Sequence, residues 1–328
     1  MGKILYIFRS GKLERKDNTL RLVSEDGERQ IPITTVSEIK IFGELDLNKR
    51  LLEFLNKHQI PLHFFNHYGF YVGSFYPRKS LNSGKMIIKQ AEHYLDWDKR
   101  IFLAKSFLRG GVTNILKNLR YYDRRGKQGL DGLINYINLK FDEIDNISDI
   151  PNLMRLEGEI RKAYYGSFEI ILEGFPFERR TKRPPQNPLN AMISFGNSLL
   201  YTTILSEIYR THLDPRIGYL HESNQRSFSL NLDIAEVFKP VIVDRTIFSL
   251  VNKKQIDEKH FVKEIGFSHL TEKGMEIFVK AFEEKLNTTI KYKNLGKVSY
   301  RKLLRLECYK LYKHFLGEEI YKPFTSDW

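Results

Sequence analysis

Residues 70–90 read FYVGSFYPRKSLNSGKMIIKQ, and inside them the apolar pattern changes its period. Up to Phe75 the chain runs in short segments rich in Ile, Val and aromatic residues, the composition of half-buried strands. Pro77 lacks the N–H that a strand ladder needs. Leu81–Lys85, LNSGK, is small and polar, as linkers are. From Met86 the spacing is helical and strand-like runs become scarce. The stretch is therefore a junction. It divides an α+β chain into a small N-terminal β domain over residues 1–80, a linker over 81–90 and a large all-α C-terminal domain over 91–328.

On the N-terminal side, strands are expected at Lys3–Phe8, Thr19–Val23, Gln30–Ile33 and Ile39–Phe42. A helix over Leu47–His58 interrupts them, with Leu51, Leu52 and Leu55 as its apolar stripe. Pro61–Phe65 and Phe70–Phe75 flank His67-Tyr68-Gly69 as a hairpin. The aromatic run Phe64–Tyr76 suits a stacking platform, a sheet core or a dimer contact. On the C-terminal side the periodicity predicts helices near 87–109, 111–123, 131–143, 152–173, 188–212, 231–252, 271–288 and 298–316.

The composition narrows the function. The 328 residues are 41% hydrophobic and carry a net charge of +13, so the chain has a core and attracts polyanions. One cysteine, Cys308, excludes an internal disulfide and a Cys-based zinc site. Lys3, Arg9 and Lys12 interrupt any apolar leader, and no run of about 18 apolar residues suggests a membrane span. The expectation is a soluble, cytoplasmic protein with no membrane partner.

Three segments hold residues with chemistry to offer. In Asn152–Phe168, NLMRLEGEIRKAYYGSF, helical spacing aligns Glu157 with Leu153, Ile160, Tyr164 and Phe168. A carboxylate in an apolar stripe is costly unless it binds a metal, pairs with a cation or is protonated. The plainer reading, favoured on these residues alone, is a pair with Arg161 one turn on or a wet stripe edge. In Gly218–Asp244, GYLHESNQRSFSLNLDIAEVFKPVIVD, His221 precedes a helix carrying Asp233 and Glu236 on one face. Two carboxylates and an imidazole suit Mg²⁺ or Mn²⁺. A structural histidine, a dipole-stabilised Asp233 and a solvated Glu236 are the alternative. In Glu178–Pro188, ERRTKRPPQNP, the cations Arg179, Arg180, Lys182 and Arg183 precede two prolines that keep the segment extended. It reads as a phosphate-contacting strap, or as a solvated loop or an interface with acidic residues elsewhere.

These segments, in this order, resemble the CRISPR-associated integrase family, the first of the numbered Cas proteins, over essentially the whole chain. Leu156-Glu157-Gly158 with Tyr164-Tyr165 is similar to the family's first catalytic motif, and Asn187–Tyr201 to its helix signature. Asp214–Glu222 resembles the segment with its catalytic histidine, and Ser229–Arg245 the segment with its last acidic residue. The resemblance implies that Glu157, His221 and Glu236 are catalytic metal ligands for Mg²⁺ or Mn²⁺. It implies that Asp233 is a further catalytic acid, as a support or an alternative ligand. Glu236 stands where some members have Asp. The implied assembly is a homodimer joined through the β domains. Two such dimers flank one dimer of a small ferredoxin-like second Cas protein, giving a heterohexamer that holds prespacer DNA at the CRISPR repeat.

The implied reaction is attack of a prespacer 3′-hydroxyl on a phosphodiester of the repeat. One phosphodiester replaces another, so no external energy source is needed, and water as nucleophile gives endonuclease activity instead. Two other readings share the residues: a general structure-selective metal-dependent nuclease, and a non-enzymatic DNA-binding scaffold with structural acids. Metal dependence separates the scaffold from the enzymes, and the donor 3′ end separates joining from cleavage.

Overall fold

The computed structural model describes residues 2–327 apart from 79, 80, 82, 173, 174, 183, 222–227 and 265. The chain forms two compact units, Met1–Asn82 and Ser83–Trp328.

The first unit contains β1 (Lys3–Ile7), β2 (Gly11–Lys16), β3 (Thr19–Ser24), β4 (Gly27–Pro32), β5 (Val36–Ile41), β6 (Leu45–Leu47), α1 (Lys49–Lys57), β7 (Leu62–Phe65) and β8 (Tyr71–Phe75). They make two four-stranded sheets, ordered β1-β5-β7-β8 and β4-β3-β2-β6. β5 is parallel to both β1 and β7, and β7–β8 is the expected hairpin. Asn66 closes its turn by accepting from the N–H groups of Tyr68 and Phe70. Ile7, Ile39, Ile41 and Leu62 of one sheet share a single apolar cluster with Leu13 and Leu20 of the other. α1 covers that cluster with Leu51, Phe54 and Leu55, each worth about 1.5–3 kcal/mol. Phe54 takes the place the spacing assigned to Leu52. β2 was not expected, because GKLERK offers one apolar residue, Leu13, to the core.

The second unit is helical: α2 (Gly84–Leu95), α3 (Trp97–Asp123), α4 (Asp131–Glu143), α5 (Ile150–Gly166), α6 (Phe168–Ile171), α7 (Pro188–Tyr209), α8 (Leu230–Lys239), α9 (Arg245–Asn252), α10 (Glu272–Asn287) and α11 (Tyr300–Phe315). Two short antiparallel ribbons accompany them, β9 (Phe261–Glu264) with β10 (Phe267–Leu270), and β11 (Thr289–Lys291) with β12 (Lys297–Ser299). Residues 84–90, read as linker, are helical, because the Ser83 side chain accepts from Met86 N and starts α2. No described helix is long and apolar enough to cross a membrane.

The expected break at residue 110 is absent. The helix breaks at Asp96, whose side chain caps Lys99 N, and α3 then runs unbroken through Gly110-Gly111. A Cβ on Gly110 would lie 2.6 Å from Pro323, and one on Gly111 would lie 2.7 Å from the Glu236 carbonyl oxygen. The pair lets α3 approach α8 closely, which outweighs its poor helix propensity.

Candidate active site

The site grows from the end of α8. Pro240 has no N–H to donate to the Glu236 carbonyl, and the chain passes through a π-helical turn, Pro240–Asp244, into α9. Side chains satisfy the carbonyls there. Arg161 Nη2 donates to Glu236 O at 3.3 Å, Asn114 Nδ2 to Val237 O at 2.9 Å and Asn118 Nδ2 to Pro240 O at 2.8 Å. Gly111, Asn114 and Asn118 share one face of α3, so α3 sets the depth and rotation of α8. Asn114 Oδ1 also accepts from Ser326 N, tying the C-terminal tail to the same place.

α5 brings the first acid. Asp149 caps its N-terminus and Pro151 pre-forms its first turn. Glu157 and Arg161 lie one turn apart and pair at 3.1 Å, so the helical ion pair foreseen as the plainer reading is present. Arg161 also reaches Glu236 Oε2 on α8 at 2.6 Å, so one guanidinium spans both acids. Leu108, Val112 and Ile160 line a small apolar cleft beside them.

Asp233 has a different job from Glu236. Its carboxylate is fully buried and turned back onto the preceding loop. Oδ2 accepts from Tyr219 N at 2.6 Å and Leu220 N at 3.2 Å, and Oδ1 accepts from His221 N at 2.9 Å. His221 Nδ1 lies 2.8 Å from Oδ1 as well. This bond directs Nε2 towards Glu236 Oε1, 3.9 Å away. A carboxylate that fixes the tautomer and aim of a histidine is the usual support behind a metal-binding imidazole.

Electrostatics separate the two remaining acids. Burial, then the neighbouring Glu236, push Glu157 above the usual carboxylate range, against the pull of Arg161. Burial acts on Glu236 too, but Lys239, Arg161 and His221 together hold it far below that range. Behind them Asp244 is pushed up to about 7 by burial, with Arg161 and a hydrogen bond from Tyr164 opposing in part. Two carboxylates and one imidazole are the right donors for a hard divalent ion. Their buried negative charge is balanced by Arg161 and Lys239, and among the described residues no three acidic, histidine or cysteine side chains close around a common point. The donor chemistry fits an ion; the two cations stand among the donors.

The strap follows α6 without regular structure. Arg179 and Lys182 are exposed. Arg180 is engaged by the protein, donating to Asn190 Oδ1 at 2.9 Å and Ser194 Oγ at 3.0 Å on α7. Asn190 holds the strap further by accepting from Thr181 N and donating to Arg179 O. Arg183 lies outside the described residues. Although Lys182 is exposed, partial desolvation, then the Lys239 ammonium, pull it below the usual lysine range, while Glu157 and Glu236 act the other way. The strap therefore feels the charges of the acid site.

Sequence reasoning missed Lys239, Asn114, Asn118 and the reach of Arg161 to Glu236. Lys239 and Glu236 share a helical spacing of three, a visible signal; the cross-helix bonds leave none.

The family model described as CRISPR associated protein Cas1 matches residues 5–284. The chain belongs to the Cas1 family. It is 55% identical to "CRISPR-associated endonuclease Cas1 2" of Thermodesulfovibrio yellowstonii, covering 100% of both chains. The solved structure of a Cas1 protein from Thermotoga maritima superposes with a TM-score of 0.88 at 47% identity, covering 99% of this chain and 100% of that one. A casposase bound to integration product gives the same TM-score at 20% identity, covering 99% of this chain and 93% of that one, a likeness of fold. Membership of the Cas1 family makes the chain an enzyme of the nuclease and integrase class in CRISPR adaptation.

Proposed function

We propose that this chain joins the 3′-hydroxyl ends of prespacer DNA to the CRISPR repeat array by metal-dependent transesterification. The observation that carries the reading is that Arg161 joins Glu157 of α5 to Glu236 of α8, whose Oε1 faces His221 Nε2 at 3.9 Å. A Mg²⁺ or Mn²⁺ ion held by these three would polarise the scissile phosphodiester and steady the leaving oxygen. The chain's own residues do the rest. Asp233 aims His221, Arg161 holds Glu157 and Glu236 together, and α3 fixes α8 beneath them. Arg179, Lys182 and Arg183 of the strap contact the DNA backbone, which the +13 charge attracts. The chain works as a homodimer through its β unit, with a dimer of the second Cas protein between two such dimers.

Structure-selective cleavage is the second reading, favoured by the name endonuclease that its relatives carry. One assay decides. Duplexes with free 3′-hydroxyl ends are mixed with a repeat-bearing supercoiled plasmid and Mn²⁺, Mg²⁺ or chelator, with and without the small partner. Metal-dependent joined product, lost with a blocked 3′ end and in Glu157→Ala, is the expected result. Cleavage without joining moves the reading to the nuclease, and DNA binding without product to the scaffold. Wild-type joining by Glu157→Ala, His221→Ala and Glu236→Ala would overturn the site.

A further inference from the structure

Two buried cations divide the oxygens of Glu236 between them. Arg161 Nη2 takes Oε2 at 2.6 Å and the main-chain oxygen of the same residue at 3.3 Å, while its Nε takes Glu157 Oε1 at 3.1 Å. Lys239 Nζ takes Glu236 Oε1, the oxygen that faces His221 Nε2 at 3.9 Å. The two cations are held differently. Arg161 is 8% exposed and anchored by three oxygens from two helices through a planar fork. It reaches one side-chain oxygen of each acid. Lys239 is a point charge on a flexible stem, in the last turn of α8, with its ammonium 5.3 Å from the centre of the Tyr201 ring. It stands on the side to which the imidazole points.

We propose that the Lys239 ammonium is a resident counter-ion occupying the place of the divalent cation and displaced by it, and that Arg161 is a positioning residue keeping Glu157 and Glu236 in register throughout. This rests on Glu157, His221 and Glu236 being the metal site. Without an ion, the buried Glu236 carboxylate and the partly buried Glu157 beside it need cations near them, because an uncompensated buried charge is strongly destabilising. Lys239 supplies part of that charge at the oxygen the ion needs. Metal and ammonium therefore compete. Arg161 does not compete for that oxygen, because it takes Glu236 Oε2 and only one oxygen of Glu157.

The two cations should respond with opposite signs. Mn²⁺ binding to the full-length protein without DNA is followed by the electron paramagnetic resonance signal of free Mn²⁺. Lys239→Met should bind Mn²⁺ roughly tenfold tighter or more, the worth of one charged hydrogen bond. Lys239→Arg, which keeps the charge, should bind more weakly than Lys239→Met. Arg161→Lys, which keeps charge but loses the fork, should bind about 10–100-fold more weakly than wild type. Glu157→Gln and Glu236→Gln are the controls. If they lose Mn²⁺ binding while Lys239→Met binds no tighter than wild type, the counter-ion proposal is overturned and the metal site stands. Wild-type affinity in Arg161→Lys would overturn the positioning role. Wild-type affinity in both Gln variants would overturn the metal site itself.

Discussion

Replacing Asp233 with Asn should cost the protein both stability and its grip on a divalent ion. The carboxylate accepts from three successive backbone N–H groups, Tyr219 to His221, and is bonded to His221 Nδ1, all at 2.6–3.2 Å. An amide keeps one acceptor oxygen and turns the other position into a donor. In place of Oδ2 the NH₂ faces two N–H donors, Tyr219 and Leu220; in place of Oδ1 it faces one, His221, because the ring nitrogen can change tautomer and accept. Each unmet buried donor costs about 1–3 kcal/mol, so the ring-facing placement, with one unmet donor, is favoured at a loss of roughly 1–3 kcal/mol. At about 2–4 °C per kcal/mol for a unit of this size, a loss near the middle of that range lowers Tm by about 4–8 °C. The second effect is chemical. With the amide NH₂ towards the ring, His221 loses the acceptor that keeps its proton on Nδ1. The other tautomer puts hydrogen on Nε2, the atom facing Glu236. A protonated nitrogen cannot ligate, so Mn²⁺ affinity should fall about 10–100-fold. Scanning calorimetry and Mn²⁺ titration measure the two effects on one sample. Wild-type Tm and affinity in Asp233→Asn would refute the assignment, and a lower Tm with unchanged affinity would refute the link through His221.

Three further perturbations bear on the same construction. Asp244 is pushed up to about 7 by burial, above its ordinary 3.8, so unfolding releases its proton and stability falls as pH rises between those values. The full span is worth about 4 kcal/mol, and Asp244→Asn should flatten it and exceed wild type in denaturant midpoint at pH 8; parallel pH curves would refute this. Gly111→Ala should lose about 1–3 kcal/mol, because its Cβ meets the Glu236 carbonyl oxygen at 2.7 Å. Gly158→Ala, whose Cβ meets nothing within 4 Å, should gain up to about 1 kcal/mol, and equal Tm changes would contradict the close approach of α3 to α8. Arg179→Ala with Lys182→Ala should reduce the salt slope of DNA binding by roughly 1.8, about 0.9 per phosphate contact, whereas Arg180→Ala should lower Tm because of its bonds to α7. An unchanged slope removes the strap from the DNA path.

What was legible follows from which interactions are local. The strand-rich start, the helical remainder and the β7–β8 hairpin could be read, because period and turn residues are properties of short windows. Glu157 with Arg161 is likewise a four-residue relation and was visible. The bond from Arg161 to Glu236 spans 75 positions and has no signature in either segment. Asp233 and Glu236, three apart, share a helix face by spacing, yet one faces the N–H groups of the 219–221 turn and the other faces α5. Only the tertiary surroundings assign their roles. The local rules that failed share a neighbourhood. Gly110-Gly111 inside α3, Pro240 where the helix continues as a π turn, Asn114 and Asn118 at fully buried positions, and Lys239 in a buried turn all surround Glu236. The glycines, the proline and the asparagines are unfavourable in their own windows, and the lysine is at odds only with its burial. Together they admit α3, release a carbonyl for Arg161 and balance a buried carboxylate. Sequences depart from local preference where function demands it, and here the departures converge on one residue. That makes Glu236, which local spacing leaves open between a ligand and a solvated residue, the residue around which this site is built.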